Sequence, residues 1–400
     1  MKLKVVDAGC GVGKTTAMIN FINNSKNDNE KFLYITPFLT EVDRINESCS
    51  KRNFKEPKEL PTKSEDLIRL IDKGYNVVST HALFQKLSEK ALDLTQFNEY
   101  ILIIDEAADV IQEIDITKND LNTIVKEYIT VKDDMTVIWK EEKSDYEGRF
   151  MDYKNLIEMG GVKAHCSSSG EVMSLVWTFP IGIFDSFKEV YILTYMFNGQ
   201  KAYYEYHKVE IENLYIKDYQ LTTEKQTYNY DKQKKLITII DDNKLNAIGD
   251  NRGSLSMSWF KRNKNSIIIK KLQNNVYNFF RNATREIPAE NKLWTTFKEY
   301  EQYIKGKGYI KSFAPINIRA TNNYKGTTAV AYIANRYMKP TLKHFFEAEG
   351  IEVDEDTYAL SELIQFIYRS AIRDGKPIIV YIPSKRMREL LKDWINKKDE

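Results

Sequence analysis

Ala8-Gly9-Cys10-Gly11-Val12-Gly13-Lys14-Thr15-Thr16 follows directly on the apolar run Lys4-Val5-Val6 and precedes a stretch with helical spacing. Glycines and a Lys-Thr pair between a strand and a helix spell a phosphate-binding loop. Its backbone N–H groups turn inward around phosphate oxygens, Lys14 reaches the β- and γ-phosphates, and Thr15 offers its hydroxyl to Mg²⁺. Gly9, Cys10, Gly11, Val12, Gly13, Lys14, Thr15 and Thr16 are therefore the residues expected to hold a nucleoside triphosphate. Ala8 stands where glycine is usual, at a position that only closes the turn. Cys10 reads as a small tolerated residue whose side chain points away from the phosphates.

The strand-and-helix order of this loop continues down the first hundred residues. Strand-length apolar runs at Leu3–Val6, Phe32–Thr36, Asn76–Thr80 and Tyr100–Ile104 alternate with helical spacing at Thr15–Asn24, Thr40–Glu47 and Ser64–Lys73. That alternation predicts βαβ units and a parallel sheet. The uninterrupted apolar run Ile101-Leu102-Ile103-Ile104 suits a central strand buried on both faces. From about 112 to 189 the pattern changes to alternating segments, Met135–Trp139 and Val172–Phe179, around Gly160-Gly161 and a polar Cys166–Gly170. This predicts a largely β insertion, after which Val190–Leu193 returns to the first sheet. In the second half, strands are expected at Leu293–Phe297, Ile316–Ala320, Ala329–Ile333 and Ile378–Ile382, with helices over Leu360–Arg373 and Lys385–Lys397. The chain thus divides into two parallel α/β domains, 1–198 and 199–400, with the boundary near Asn198–Lys201.

Composition excludes several classes. At 400 residues, 42% hydrophobic and 29% charged, the chain is long enough for two or three globular domains, and no apolar run has the length of a membrane span. The opening Met1-Lys2-Leu3-Lys4 already reads as a strand edge rather than a signal peptide. Three cysteines without paired spacing point to a reducing cytosol, and four histidines without ligand spacing point away from any metal centre beyond Mg²⁺. Net charge is only +2, yet Arg252–Lys325 holds fifteen Lys and Arg against four Asp and Glu. Trp259, Phe260, Tyr277, Phe279, Phe280, Trp294, Tyr300, Tyr303 and Tyr309 interleave with those charges. Two readings stand: a nucleic-acid surface whose rings stack on bases, or a solvated basic face over an aromatic core.

Two further patterns carry chemistry. Asp105-Glu106-Ala107-Ala108 ends the buried strand. Asp105 there can hold Mg²⁺ while Glu106 orients and deprotonates an attacking water, which is a hydrolase signature rather than a kinase one. Gln365, Arg369 and Arg373 are spaced by four, so on a helix they form one polar stripe able to reach a triphosphate.

With these in place the chain resembles the superfamily 2 helicases over nearly its whole length. Ala8–Thr15 resembles motif I and Asp105–Ala108 a DExx-type motif II. Thr36-Pro37 resembles motif Ia, and Ser79-Thr80-His81-Ala82-Leu83 the threonine-containing strand end. Leu193-Thr194-Tyr195 resembles motif III, Trp294–Phe297 motif IV, Ala320–Thr327 motif V and Gln365–Arg373 motif VI. Tyr368 stands where motif VI usually has glycine, and its second arginine falls one position late, at Arg373. The C-terminal run from Tyr358 to Arg373 and Tyr381–Arg388 are similar to compact phage-encoded replication helicases.

The resemblance implies two RecA-like domains with a nucleotide cleft between them, ATP and Mg²⁺ as cofactors, and Thr15 and Asp105 as metal ligands. It implies Lys14, Asp105, Glu106, Gln365, Arg369 and Arg373 as the catalytic set, and Thr36, Pro37, Thr80, His81, Thr321 and Lys325 on the nucleic-acid backbone. The expected function is an ATP-dependent DNA helicase or translocase in phage DNA replication or recombination. It would act as a monomer in the host cytoplasm, with DNA or RNA and replication proteins as partners. A duplex translocase, an RNA helicase, a P-loop nucleotide-transferring enzyme and a non-catalytic clamp are the alternatives. Base preference comes from the resemblance alone, since the loop opens so near Met1. The insertion's Trp139, Tyr146, Phe150, Tyr153 and Trp177 are either a strand-separating wedge or a private core.

Overall fold

The computed structural model describes residues 2–9, 11–37, 39–85, 95–106, 110–167, 169–227, 231–316 and 323–397. They group into two compact units. The first comprises Met1–Ala8, Gly13–Lys225 and Lys339–Val353, and the second Gly9–Val12, Gln226–Met338 and Asp354–Glu400.

The first unit is built on β1 (Lys2–Asp7), β2 (Lys31–Thr36), β3 (Val77–Thr80) and β4 (Tyr100–Asp105). An insertion with β5 (Ile111–Glu113), β6 (Ile129–Val131), β7 (Val137–Trp139), β8 (Val162–Cys166) and β9 (Val172–Thr178) comes next, before β10 (Glu189–Thr194), β11 (Glu210–Lys217) and β12 (Gln220–Thr222). The main sheet runs β12-β11-β1-β10-β4-β2-β3, parallel throughout except for the antiparallel β11–β12 edge. Every residue of β4 is buried, as its apolar run requires. Leu3, Val5, Leu33, Leu102 and Ile192 from four strands pack into one core with helix residues Leu67 and Ile71. Helices α1 (Lys14–Asn24), α2 (Leu39–Ser48) and α3 (Lys63–Asp72) lie where helical spacing placed them. A reciprocal cap, Thr62 with Glu65, starts α3.

Two findings move the expected boundary. β11 pairs in parallel with β1, so residues 198–201 fall inside the first unit rather than at its end. The helix Pro340–Ala348, late in sequence, also belongs to the first unit: Thr341 donates to Glu113 Oε1 at 2.8 Å, and Phe346 packs on Tyr204.

The insertion carries, besides its strands, helices Lys118–Glu127 and Met151–Glu158. Its aromatics form its own core. Trp139 and Phe150 are buried, and Tyr128, Tyr146, Tyr153 and Trp177 pack around them. The wedge reading of these rings therefore falls, because their faces are spent on one another.

The second unit has a four-stranded sheet, β13 (Ile237–Ile239), β14 (Lys292–Thr295), β15 (Ala329–Tyr332) and β16 (Ile378–Tyr381), in the parallel order β13-β16-β15-β14. The segment expected as strand Ile316–Ala320 lies mostly outside the described residues. The basic stretch is helical, Met257–Asn263 and Ile267–Asn278. Most of its rings face inward: Phe279 stacks on Tyr381, Phe280 on Tyr309, and Trp294 donates to the Tyr309 carbonyl at 2.9 Å, while Tyr277 and Tyr303 are half-buried. Lys261, Arg262, Lys264, Lys270, Lys271, Arg281 and Arg285 are on the outside, all of them exposed. The basic segment is thus a solvated cationic face over an aromatic core, and its buried rings cannot stack on bases. No helix among the described residues is long and apolar enough to cross a membrane.

Candidate active site

Five adjacent parallel strands bring their carboxyl ends to one edge of the first sheet, where ligands of open α/β sheets bind. Register decides which side chains meet there. Asp7 lies beside Thr194, Leu193 beside Asp105, Ile35 beside Ile104 and Thr36 beside Thr80.

The loop from β1 to α1 is anchored at both ends. Ala8 N donates to the Thr194 carbonyl at 3.1 Å, and Ala17 N to Gly13 O at 2.8 Å. Gly11 and Gly13 have φ of 83° and 95°, the left-handed turn that aims N–H groups into the loop. Lys14 folds back so that Nζ donates to the Ala8 carbonyl at 2.5 Å. Thr15, the second residue of α1, donates to Asp105 Oδ2 at 3.0 Å. A hydroxyl and a carboxylate converging beside an ammonium and a glycine cradle fit a triphosphate with its Mg²⁺, an ion that takes oxygen ligands.

Asp105 is buried and accepts a second hydrogen bond on Oδ2, from the Tyr34 hydroxyl at 2.9 Å. Burial and the neighbouring Glu106 charge push its carboxyl up to about 6, against the pull of Tyr34, Thr15 and Lys14. Glu106 is half-buried and stands at φ 61°, held there by its N–H donating to the Leu193 carbonyl at 2.9 Å. A non-glycine residue in that region is strained, and such strain concentrates where a side chain must be aimed. The His81 ring lies 3.0 Å, through Nε2, from the Asp105 carbonyl oxygen. Ala107 and Ala108 lie outside the described residues, as do Cys10 and Thr321.

Three groups escaped the sequence reading. Tyr34 sits in the motif Ia strand and looks there like one more core ring. Asp7 accepts from Met196 N at 2.8 Å and Phe197 N at 3.0 Å, fixing the turn after β10, and its burial raises its pKa. Gln200 donates to both Thr194 Oγ1 and the Tyr195 carbonyl, at 2.7 and 2.8 Å. A lone charged residue at the end of an apolar strand was the available signal for Asp7; Gln200 had none.

Of the residues expected on a nucleic-acid backbone, Pro37, Thr80 and His81 are half-buried at the same sheet edge. Thr36 is fully buried and its hydroxyl has no partner among the described residues, so it presents no surface to a strand. Lys325 is half-buried ahead of β15 in the second unit.

The Gln365–Arg373 stripe is not built. Its helix, Glu355–Ile367, stops before either arginine. Ser370 is extended (φ −81°, ψ −174°), and a separate short turn spans Ala371–Asp374. Two contacts hold the break: Ser370 Oγ donates to the Ile367 carbonyl at 2.6 Å, and Ala371 N to the Thr327 carbonyl at 2.9 Å. Gln365 is half-buried, Arg369 buried and Arg373 exposed, so the three do not share one face.

Residues 231–395 match the YonV C-terminal Rossmann-like domain, and residues 111–169 the YonV middle domain. The chain is 38% identical over 416 residues to the SPbeta prophage-derived uncharacterized protein YonV of Bacillus subtilis (strain 168), covering 98% of both chains. Among solved structures it is similar to XPD in its apo form, with a TM-score of 0.54 at 13% identity, covering 98% of this chain and 95% of the other. It is also similar to Xpd4 of S. tokodaii, with a TM-score of 0.50 at 12% identity, covering 98% and 94%. The chain accordingly shares the fold of these two solved structures, with parallel α/β domains of the RecA-like kind.

Proposed function

The chain belongs to the YonV family, and we propose that it is a nucleic-acid-dependent ATPase that moves along DNA and separates its strands. One observation carries this reading: Lys14, Thr15, Asp105 and Glu106 meet at one sheet edge, with Thr15 bonded to Asp105 at 3.0 Å. Mg²⁺, when bound, would neutralise phosphate charge. Thr15 and Asp105 would hold that ion, the loop N–H groups and Lys14 would hold the phosphates, and Glu106 would take the proton of the attacking water. Arg373, exposed on the second unit, is assigned the transition-state charge, with Gln365 as the sensor of the triphosphate. Buried Arg369 is left a supporting part. Pro37, Thr80, His81 and Lys325 are assigned to the nucleic-acid backbone.

The prophage origin of the relative supports a role in phage DNA metabolism. The test is ATP hydrolysis with no polymer, single-stranded DNA, duplex DNA or RNA, beside a strand-displacement assay. Stimulation by DNA and displacement of a DNA strand are expected. Stimulation by RNA alone, or movement without displacement, redirects the reading to an RNA helicase or a duplex translocase. A rate indifferent to every polymer removes the helicase.

A further inference from the structure

The β11–β12 hairpin closes with a two-residue loop, because Lys217 pairs with Gln220. Both loop residues are left-handed, Asp218 at φ 51° and Tyr219 at φ 57°. Loops of this kind favour Asn-Gly or Asp-Gly, since the second residue must tolerate positive φ. A tyrosine there bears the full Cβ crowding that glycine avoids. Observed strain of this sort points to a use for the side chain.

The ring lies at the phosphate-binding loop. A Cβ built on Gly13 would fall 2.7 Å from both Cδ1 and Cε1 of Tyr219, so the ring rests on the residue that opens α1. Asn20, further along α1, donates from Nδ2 to the Tyr219 carbonyl at 2.9 Å and clamps the turn in place. Tyr219 nonetheless stays 56% exposed. A loop of this type grips phosphates through backbone N–H groups and a lysine, and nothing in that set recognises the base. A clamped, exposed aromatic ring beside the loop offers what a base needs, a flat π-surface at small cost in side-chain freedom.

We propose that Tyr219 is the nucleobase platform of the triphosphate site, stacking on the base of the nucleotide whose phosphates lie in the Ala8–Thr15 loop. This rests on the reading of that loop as a triphosphate site. Stacking tolerates every base, so GTP is expected to bind nearly as well as ATP.

The test compares Mg-ATP with Mg-tripolyphosphate, a probe without a base, on the full chain and on its Y219A, Y219W and Lys14→Ala forms. Y219A is expected to weaken ATP about tenfold, as the loss of one stacked base would, and to leave tripolyphosphate unchanged. Y219W is expected to restore ATP binding, with indole fluorescence quenched by ATP and not by tripolyphosphate. Equal weakening of both ligands by Y219A overturns the platform and makes the ring a brace for the loop. ATP binding that needs Lys14 but ignores Tyr219 also overturns it, while the triphosphate site stands. Failure of the unsubstituted chain to bind either ligand removes that site, and the platform with it.

Discussion

The strand-end cluster of the first unit and the Gln365–Arg373 segment of the second are equally explicit as sequence patterns, yet only the first keeps its expected geometry. The difference lies in what sets position. Asp105 is placed by the register of parallel strands packed into a buried core, so a one-residue error would turn a core face outward. Glu106 follows it in the chain, and Thr15, at the start of α1, meets Asp105 by donating to Oδ2. The arginine stripe depends instead on a helix continuing past Ile367. There Ser370 offers its hydroxyl to the backbone and Ala371 N bonds the Thr327 carbonyl at 2.9 Å, so a tertiary contact overrides helical spacing. Sheet register transmits a motif to three dimensions more reliably than helical period does near a terminus.

Glu106 is where this contrast breaks most visibly. If strand-end placement aims a water-activating base, Glu106→Gln lowers kcat about 10⁴-fold while the urea midpoint and nucleic-acid binding hold. Lys14→Ala likewise removes hydrolysis. Full turnover by the Glu106→Gln protein in steady-state ATPase assays would sink the assigned base, and with it the reading of the Asp105-Glu106 pair as hydrolytic.

The second segment is sharpened by its two arginines. Arg373 is exposed and Arg369 buried, so the same alanine substitution should act on different quantities. Arg373→Ala is expected to cost about 10³-fold in kcat, the scale of an arginine finger, with stability unchanged. Arg369→Ala is expected to lower stability by about 2 kcal/mol, through lost packing of its stem as much as lost charge. Denaturant titrations beside ATPase rates separate the two. The reverse outcome, with catalysis lost at Arg369 and stability lost at Arg373, would return the finger to the buried residue.

Legibility divides along the same line. The run of four apolar residues before Asp105 announces a central strand, and the Gly-rich loop before Lys14 announces its turn, because each local pattern has one physical use. The partners that complete the site are invisible in one dimension. Tyr34 and Asp105 lie 71 residues apart and meet only because β2 pairs with β4. Arrival of Pro340–Ala348 in the first unit is illegible for the same reason: an amphipathic helix declares a buried face, not which unit buries it. The basic, ring-rich segment shows the converse error. Charge and aromatics alternate in the sequence as they would on a nucleic-acid surface, and the fold buries most of the rings while leaving the charges outside.

Tyr34 gives the smallest effect and the most direct measure of how well strand pairing prepares the site. Its hydroxyl donates to Asp105 Oδ2 at 2.9 Å inside the core, so Tyr34→Phe deletes one hydrogen bond and little volume. Asp105, raised to about 6 from an ordinary 3.8, favours folding most below its unfolded value; that contribution is lost as pH rises through about 6. Above that point the carboxylate is charged and the Tyr34 bond is charge-assisted, so its removal should cost about 2 kcal/mol. At a pH of about 4.5 the acid is neutral and the cost should fall to about 1 kcal/mol. Urea titrations of both proteins at about pH 4.5 and about pH 8 read the difference. A cost that is equal at the two values, or larger in acid, would mean that Asp105 is not the charged acceptor Tyr34 serves.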